Sequence, residues 1–289
     1  MAKTPQPTHK QHTVPQFYLR PFADANQKLW AYDKTNGSIF QVGIKDAAQK
    51  HGFFSLPEVD GSYGAGWFAE TYFGQYETPA AEAIRGILTS MKMGIYSLIS
   101  PPLKQILAEY AAVQYLRTQV SRSQLLDLHR AMYEASKIWT DVPELQGIPA
   151  TPDPKELALH HLRSGLNPEK VKQTAETLHD HVWGLTVNRT GSPYYTSDHP
   201  LVLHSHEPRP GRGSGLGTFG VEVALPLAPH LLLHMVEREW AEQHYLPLMF
   251  RDGYVWNLPA FPESAMFYRS LQVRDSYRFV YGCAPEDFE

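Results

Sequence analysis

The sequence predicts an α+β fold, in which a central helical bundle is flanked by a mostly antiparallel sheet built from N-terminal and C-terminal strands. Three observations predict it: short alternating strands near the start, apolar residues at helical spacing through the middle, and period-2 alternation toward the end. Strands and helices do not alternate regularly, so a parallel βαβ arrangement is not indicated. We expect a flexible arm over residues 1–11 and a single α+β domain over residues 12–289.

The β segments lie at the two ends of this domain. An N-terminal β ribbon is expected over residues 28–57, where the pair Asn36-Gly37 between two alternating runs is a hairpin signal. The β-rich part over residues 182–289 contains successive short strands. It is expected to close with a helix near 257–270 and a last strand.

The helical part is expected over residues 67–181. Apolar residues recur at helical spacing in several segments, and prolines open two of them. Pro79 is expected to kink or restart the first of these helices. Ser121 is expected to be the N-cap of a later one.

Composition bounds the partners and the compartment. The 289 residues include 26 basic and 30 acidic side chains, for a formal charge of -4, so no global field favours duplex DNA. A nucleotide or an RNA fragment would have to bind through a local patch. The absence of a long apolar run argues against a membrane partner. The lone cysteine, Cys283, cannot form an internal disulfide, which fits a reducing cytoplasm. Composition does not determine the oligomeric state.

A first group of candidate site residues surrounds the proline near the N-terminus. His12, Gln16 and Arg20 form a donor and acceptor set on a stiff segment that can hold a ligand oxygen or a metal ion. We expect His12 to act in catalysis, and Gln16 and Arg20 to bind substrate. The alternative is a structural clasp, in which these groups satisfy buried backbone.

Paired acidic residues form a second group. Glu70 and Glu77 are seven residues apart, so on a continuous helix they share one face and can direct two carboxylates at one site. Arg117 ends an apolar helix and needs an anionic partner, for which Asp198 at the end of an aromatic strand is the candidate. We expect Glu70, Glu77 and Asp198 to be catalytic and Arg117 to bind substrate. Glu70 and Asp198 are also the candidate ligands of a Mg²⁺ or Mn²⁺ ion; the alternatives are a solvated acidic stripe and a structural ion pair.

Two weaker motifs involve histidine. Arg122 and His129 are seven residues apart in a helical segment and resemble the Arg-x(4-6)-His signature of HEPN, an all-helical prokaryotic ribonuclease superfamily. In a dimer, such a pair would bind phosphate and act on a ribose hydroxyl. His204 and His206 share one strand face, but the sequence names no third metal ligand.

The opening motif HTVPQFYLRPF resembles that of a bacterial family known as domain of unknown function forty-two thirty-eight (DUF4238). The resemblance continues through LWAYDK, AETYFGQYE, QYLRTQ, TSDHP and LPLAP, and ends at an asparagine, Asn257, before a late helix. The family pattern usually has asparagine where this chain has His199. The resemblance implies a bacterial or phage cytoplasmic protein without an assigned activity, and it adds Asn257 to the candidate substrate-binding residues.

Three functions stay open at this point. The first is a hydrolase that acts on a phosphodiester or nucleotide, with a divalent metal, in bacterial defence or regulation. The second is a binding or interaction module whose polar cluster knits the strands to the helices. The third is a HEPN-like ribonuclease that uses Arg122 and His129. Convergence of His12, Glu70 and Asp198 in the fold is the feature that would favour the first.

Overall fold

The structure of the chain, a computed structural model, describes residues 10–55, 67–95, 99–207, 215–244, 254–256 and 262–288. Within these ranges, the side chains of residues 67–70 and 254–256 are not described. Most of the expected arm, residues 1–9, therefore lies outside the described residues, as does Asn257.

Helices fill the middle of the chain and recur near its end. They are α1 (Gln16–Leu19), α2 (Trp67–Lys92), α3 (Pro101–Leu116), α4 (Gln119–Ile138), α5 (Pro154–His160), α6 (Pro168–Asp180), α7 (Arg238–His244) and α8 (Pro262–Asp275). Single turns of tighter helix at Arg20–Phe22, Pro143–Leu145 and Pro285–Phe288 and a π-turn at His161–Gly165 complete the helical structure of the described residues.

The strands form three sheets. They are β1 (Lys10–His12), β2 (Lys28–Asp33), β3 (Ser38–Gly43), β4 (Gln49–His51), β5 (Val182–Val187), β6 (Thr196–Ser197), β7 (Val202–Ser205), β8 (Val221–Ala228), β9 (Leu231–Val236), β10 (Tyr254–Trp256) and β11 (Phe279–Gly282). One sheet has the order β10-β5-β9-β8-β7, a second has β3-β2-β11-β6, and β1 pairs with β4. Only the β10–β5 pair is parallel among the described strands. The α+β class with mostly antiparallel sheets is confirmed.

The N-terminal hairpin forms where the sequence predicts it. Strands β2 and β3 pair antiparallel, with Asp33 opposite Ser38. Gly37 in the connecting turn has a φ of +72°, in the left-handed region that glycine adopts without steric cost. In the same sheet, β2 pairs with β11, so the N-terminal hairpin lies beside the last strand of the described chain.

The five-stranded sheet is covered on both faces. Along β8, Val223, Leu225 and Leu227 join the main core, which also contains the inward residues of α2, α3 and α6. The alternate residue Ala224 packs in a second cluster with Leu271 of α8. Because successive side chains of a strand point to opposite faces, the helical bundle covers one face of the sheet and α8 covers the other.

Three details differ from the sequence-based expectations. Lys10 and Gln11, assigned to the arm, pair with β4, and Gln11 is buried, so the fold includes them. The N-cap of α4 is Thr118, whose hydroxyl accepts from the backbone N–H of Ser121; Ser121 lies inside the helix. Helix α2 continues through Pro79 instead of restarting there.

The end strands also differ. Strand β4 pairs with β1 and not with the hairpin, so residues 28–57 do not form one ribbon. The late helix occupies Pro262–Asp275, further along the chain than expected. In the described part of the chain, no helix is both long and apolar enough to cross a bilayer.

Candidate functional site

Arg117 joins the end of α3 to α2 and to the N-terminal segment that contains His12. This residue follows the last turn of α3 and is almost completely buried. Its Nη1 donates to Oε1 of Glu77 at 2.5 Å, and its Nη2 donates to the backbone carbonyl oxygen of His12 at 2.6 Å. The guanidinium carbon lies 3.9 Å from the centre of the Phe73 ring. The prediction that Asp198 is the partner of Arg117 is wrong, because the carboxylate that neutralises Arg117 belongs to Glu77.

The imidazole of His12 has a backbone partner of its own. Its Nε2 donates to the carbonyl oxygen of Lys45 at 3.1 Å. Burial lowers the pKa of His12, and nearby Arg117 lowers it further, so the neutral ring is favoured. Gln16 starts α1 and is half-buried. This geometry supports the clasp interpretation of the HTVPQ segment, since His12 and Arg117 are held by backbone and by Glu77.

Of the paired glutamates Glu70 and Glu77, the structure describes the side chain of Glu77. Glu70 lies in the first turn of α2, where side chains are outside the described part, and Glu77 is bound to Arg117. Within the described residues, no group of three or more His, Cys, Asp or Glu side chains is arranged to hold a metal ion. The described residues therefore supply no set of ligands for the expected Mg²⁺ or Mn²⁺ ion.

Asp198 closes the start of β11. Its carboxylate accepts the backbone N–H groups of Tyr277 (2.8 Å), Arg278 (2.8 Å) and Phe279 (2.9 Å). Burial raises the pKa of Asp198, while these three N–H groups and the charge of Lys50 oppose that rise. A carboxylate with this many donors is committed to holding backbone, so we assign Asp198 a structural role in place of the catalytic and metal-binding roles expected from the sequence.

A cavity of about 320 Å³ lies beside this carboxylate, between the four-stranded sheet and the start of α4. We call it the aromatic cavity; it is defined by Phe40, Lys50, Gln119, Tyr277 and Phe279. Asp198, Asp46 and Arg278 also line it, and each of these charges has a partner. Arg278 pairs with Asp33 on β2, and Asp46 with Lys10.

A second cavity, of about 340 Å³, lies where α1 and α2 meet the turn between β8 and β9. We call it the basic cavity; it is defined by Arg20, Arg85, Lys92 and His230 at its rim. The apolar residues of its lining include Phe17, Ile84, Leu88 and Ala228, and no carboxylate of the described part of the chain lines it. Of the candidate residues from the sequence, only Arg20 lines it.

Local structure explains the exposed charges of the basic cavity. Proline at position 21 fits the tight turn Arg20–Phe22, which buries Phe22 and leaves Arg20 exposed. Arg85 and Lys92 are seven residues apart on α2, so they lie on one face, two turns from each other. Burial lowers the pKa of His230, and the charge of Lys92 lowers it further.

A polar network that the sequence did not reveal lies on the five-stranded sheet. Glu222 on β8 is only 4% exposed; it accepts hydrogen bonds from His206 at 2.9 Å and from the Tyr268 hydroxyl at 2.6 Å. His234 of β9 approaches the same carboxylate at 3.7 Å. Burial alone would raise the pKa of Glu222, but these partners hold it well below its usual value. The signal available in the sequence is a glutamate inside the apolar run VEVALPL, on the strand that follows the paired histidines His204 and His206.

The two residues of the HEPN-like motif are engaged within the chain. Arg122 stacks on Phe53 at 3.6 Å and donates to its carbonyl oxygen at 2.8 Å. Its guanidinium also contacts Nδ1 of His161 at 3.2 Å. The Nε2 of His129 donates to the carbonyl oxygen of Pro149 at 2.8 Å. These contacts give Arg122 and His129 structural partners, and they do not favour the ribonuclease alternative.

Comparison with protein-family models matches residues 10–285 to the family described as Protein of unknown function (DUF4238). The chain belongs to this family. The DUF4238 match extends from β1 to the last helical turn, so it covers all three sheets, the clasp at Arg117 and both cavities. Searches of the curated proteins and of the solved structures found no match.

Proposed function

We propose that this DUF4238 protein binds a small phosphorylated molecule, of the size and class of a nucleotide, in the basic cavity. One observation carries the proposal: Arg20, Arg85, Lys92 and His230 line one cavity, and none of the described carboxylates lies in that lining. Within the described residues, none of these four side chains forms an ion pair or a hydrogen bond. Their donors are therefore available to an anionic ligand.

Cationic groups that lie close together without an anionic partner repel one another. The charge of Lys92 lowers the pKa of His230, which is the expected effect of two cationic groups that face each other. An anion in the cavity would remove this repulsion and would accept charge-assisted hydrogen bonds from the two arginines. Arginine is well suited to phosphate, since its planar fork can donate two parallel N–H groups to neighbouring oxygens.

The floor of the basic cavity favours a ligand with an apolar part over a bare ion. Ile84 and Ala228 are buried there, and Phe17 and Leu88 are half-buried. A volume of about 340 Å³ is at the lower end of the range for small-molecule sites. A phosphate at the rim and a planar or aliphatic group on the floor would use both parts of this surface.

The proposal is for binding, in agreement with the second function expected from the sequence. Hydrolysis by Glu77 and Asp198 is not part of it, because Glu77 neutralises Arg117 and Asp198 binds three backbone N–H groups. The ligand class agrees with the nucleotide partner expected from the sequence.

The test is calorimetric titration of the full chain with ADP and with pyrophosphate. Arg85→Gln and Lys92→Gln should each weaken binding by roughly tenfold, since each removes one charge-assisted contact worth about 1.5 kcal/mol or more. Lys172→Gln is the matched control, because it removes the same charge from an exposed position on α6 outside the lining. Equal affinities in all three variants would refute the proposed site.

A further inference from the structure

The aromatic cavity contains a lysine in an unusual setting. Lys50 on β4 is half-buried, and its Nζ donates to Oε1 of Gln119 at 2.8 Å. The same nitrogen lies 4.6 Å from the centre of the Tyr277 ring and 5.7 Å from that of Phe53. A neutral amide oxygen and two aromatic rings therefore surround this amine.

One acidic and two basic side chains act electrostatically on Lys50. Among the described residues, no carboxylate lies within ion-pair distance of its Nζ. Asp198 is the facing acid, and its oxygens are occupied by the backbone N–H groups of residues 277–279. The facing cations are Arg122 and Arg278. Burial lowers the pKa of Lys50, Asp198 opposes this effect, and the two arginines add to it.

We propose that Lys50 is a nucleophilic amine that condenses with the carbonyl group of an aromatic aldehyde bound in the aromatic cavity. Desolvation and neighbouring cations are the two means by which proteins raise the uncharged fraction of a lysine. Both are present here, together with a cavity of about 320 Å³ that the Lys50 side chain lines. This site is separate from the basic cavity, and it does not depend on phosphate binding there.

The chemistry balances without a further reactant. The lone pair of the neutral Nζ attacks the carbonyl carbon, so that a C–N bond forms while the π bond of the carbonyl breaks. One of the two amine protons moves from nitrogen to the former carbonyl oxygen to give a carbinolamine. Loss of that oxygen as water, with the second amine proton, leaves an imine. Gln119 accepts from Lys50 through Oε1, which leaves its amide N–H groups to donate to the carbinolamine oxygen.

The walls of the cavity indicate why the carbonyl should be attached to a planar apolar group. Phe40 and Phe279 lie at a ring-centre distance of 6.1 Å in an edge-to-face arrangement, and Val42 lines the same wall. Aromatic pairs of this kind accept a third ring through further edge or offset contacts. An aromatic aldehyde would place its ring there and its carbonyl toward Lys50.

The experiment is reductive alkylation of the full chain at pH 7 with benzaldehyde and sodium cyanoborohydride, which reduces an imine to a stable amine. Peptide mass spectrometry gives a rate for each lysine. Lys50 should react at least tenfold faster than the exposed Lys28 and Lys172, which serve as internal controls in the same sample. A Lys50 rate equal to or below theirs would overturn the proposal.

Two variants separate a reactive amine from a binding site. Lys50→Arg keeps the charge and should lose this label while the labels on Lys28 and Lys172 are unchanged. In the wild type, the Lys50 rate should saturate with benzaldehyde concentration, and Phe40→Ala should weaken that saturation several-fold. Phe40 is 38% exposed, so its removal leaves the core intact. A wild-type rate that rises linearly without saturation would overturn the binding part.

Discussion

Arg117 and Glu77 form a buried ion pair, with 2.5 Å between Nη1 and Oε1, that ties the end of α3 to the middle of α2. The second Nη of Arg117 binds the backbone of His12, so the N-terminal segment is attached to the same guanidinium. The side chain of Arg117 is 4% exposed and that of Glu77 is 25% exposed. Removal of one partner would leave the other charge poorly solvated.

We expect Arg117→Met to lower the free energy of unfolding by about 3 kcal/mol, the lower end of the range for breaking a buried pair, because Glu77 retains some contact with water. Urea unfolding at pH 7 measures this change. Lys137→Met is the control: its pair with Glu134 is exposed on both sides, and its loss should cost well under 1 kcal/mol. Similar costs for the two variants would contradict the assignment.

Asp198→Asn should destabilise the chain by about 2 kcal/mol, since hydrogen bonds to a charged acceptor are lost and the new amide group faces N–H donors. The effect should be local: amide exchange of Tyr277, Arg278 and Phe279 should accelerate. Asp46→Asn is a control at an exposed carboxylate, which accepts from Lys10 and from the neighbouring Gln49. Unchanged exchange in residues 277–279 would show that Asp198 does not hold this turn.

Stability should fall in mild acid because of two buried histidines. Burial lowers the pKa of His199 to about 4, and burial with the charge of Arg122 lowers the pKa of His161 to about 4. Their ordinary value is about 6.5, so the unfolded chain takes up these protons first. Their stabilisation is therefore complete above pH 6.5, and it is lost as the pH falls from about 6.5 toward about 4.

The variant His199→Asn measures how much one of these two histidines contributes to the pH dependence of stability. Asparagine keeps a polar group near the position of Nδ1, which contacts the Thr118 hydroxyl at 2.7 Å, but it cannot take up the proton. Between pH 4.5 and 6, the slope of unfolding free energy against pH should decrease by about 1.4 kcal/mol per pH unit. Urea titrations at several pH values measure this slope, and a slope equal to that of the wild type would contradict the prediction.

Anion binding to the basic cavity should depend on the protonation of His230. Burial and Lys92 lower its pKa below 6.5, so the ring is neutral at pH 7.5 and gains charge only below its ordinary range. Sulfate, which keeps both charges over this range, should bind more tightly as the pH falls from 7.5 through the lowered pKa of His230. Calorimetric titration of His230→Gln should show no such difference. A pH effect that persists in this variant would assign it to another group.

Much of the fold followed from pattern alone. The hairpin at Asn36-Gly37, the helices and the class of the fold rest on local periodicity and turn chemistry, which single segments encode. The aromatic segment before Asp198 is typical of a strand in sequence, but only Thr196 and Ser197 of it pair with β11.

The site was less predictable, for a physical reason. An arginine in an apolar helix must find an anion, and this requirement was evident for Arg117. The choice between Glu77 and Asp198 depends on how α2 and β11 pack, which no local pattern encodes. Arg85 and Lys92 likewise resemble an ordinary solvated helix face until α1 and the β8–β9 turn bring Arg20 and His230 beside them.

Phosphate binding in the basic cavity is tested most directly by the affinity of the double variant Arg20→Gln/Arg85→Gln for ADP, with the single variants and Lys172→Gln titrated in parallel. These two arginines lie on different elements and share only the basic cavity. We expect a loss of roughly a hundredfold in the double variant, from two charge-assisted contacts, and no loss in the Lys172 control. Wild-type affinity in the double variant, or no detectable ADP or pyrophosphate binding to the wild type, would contradict it.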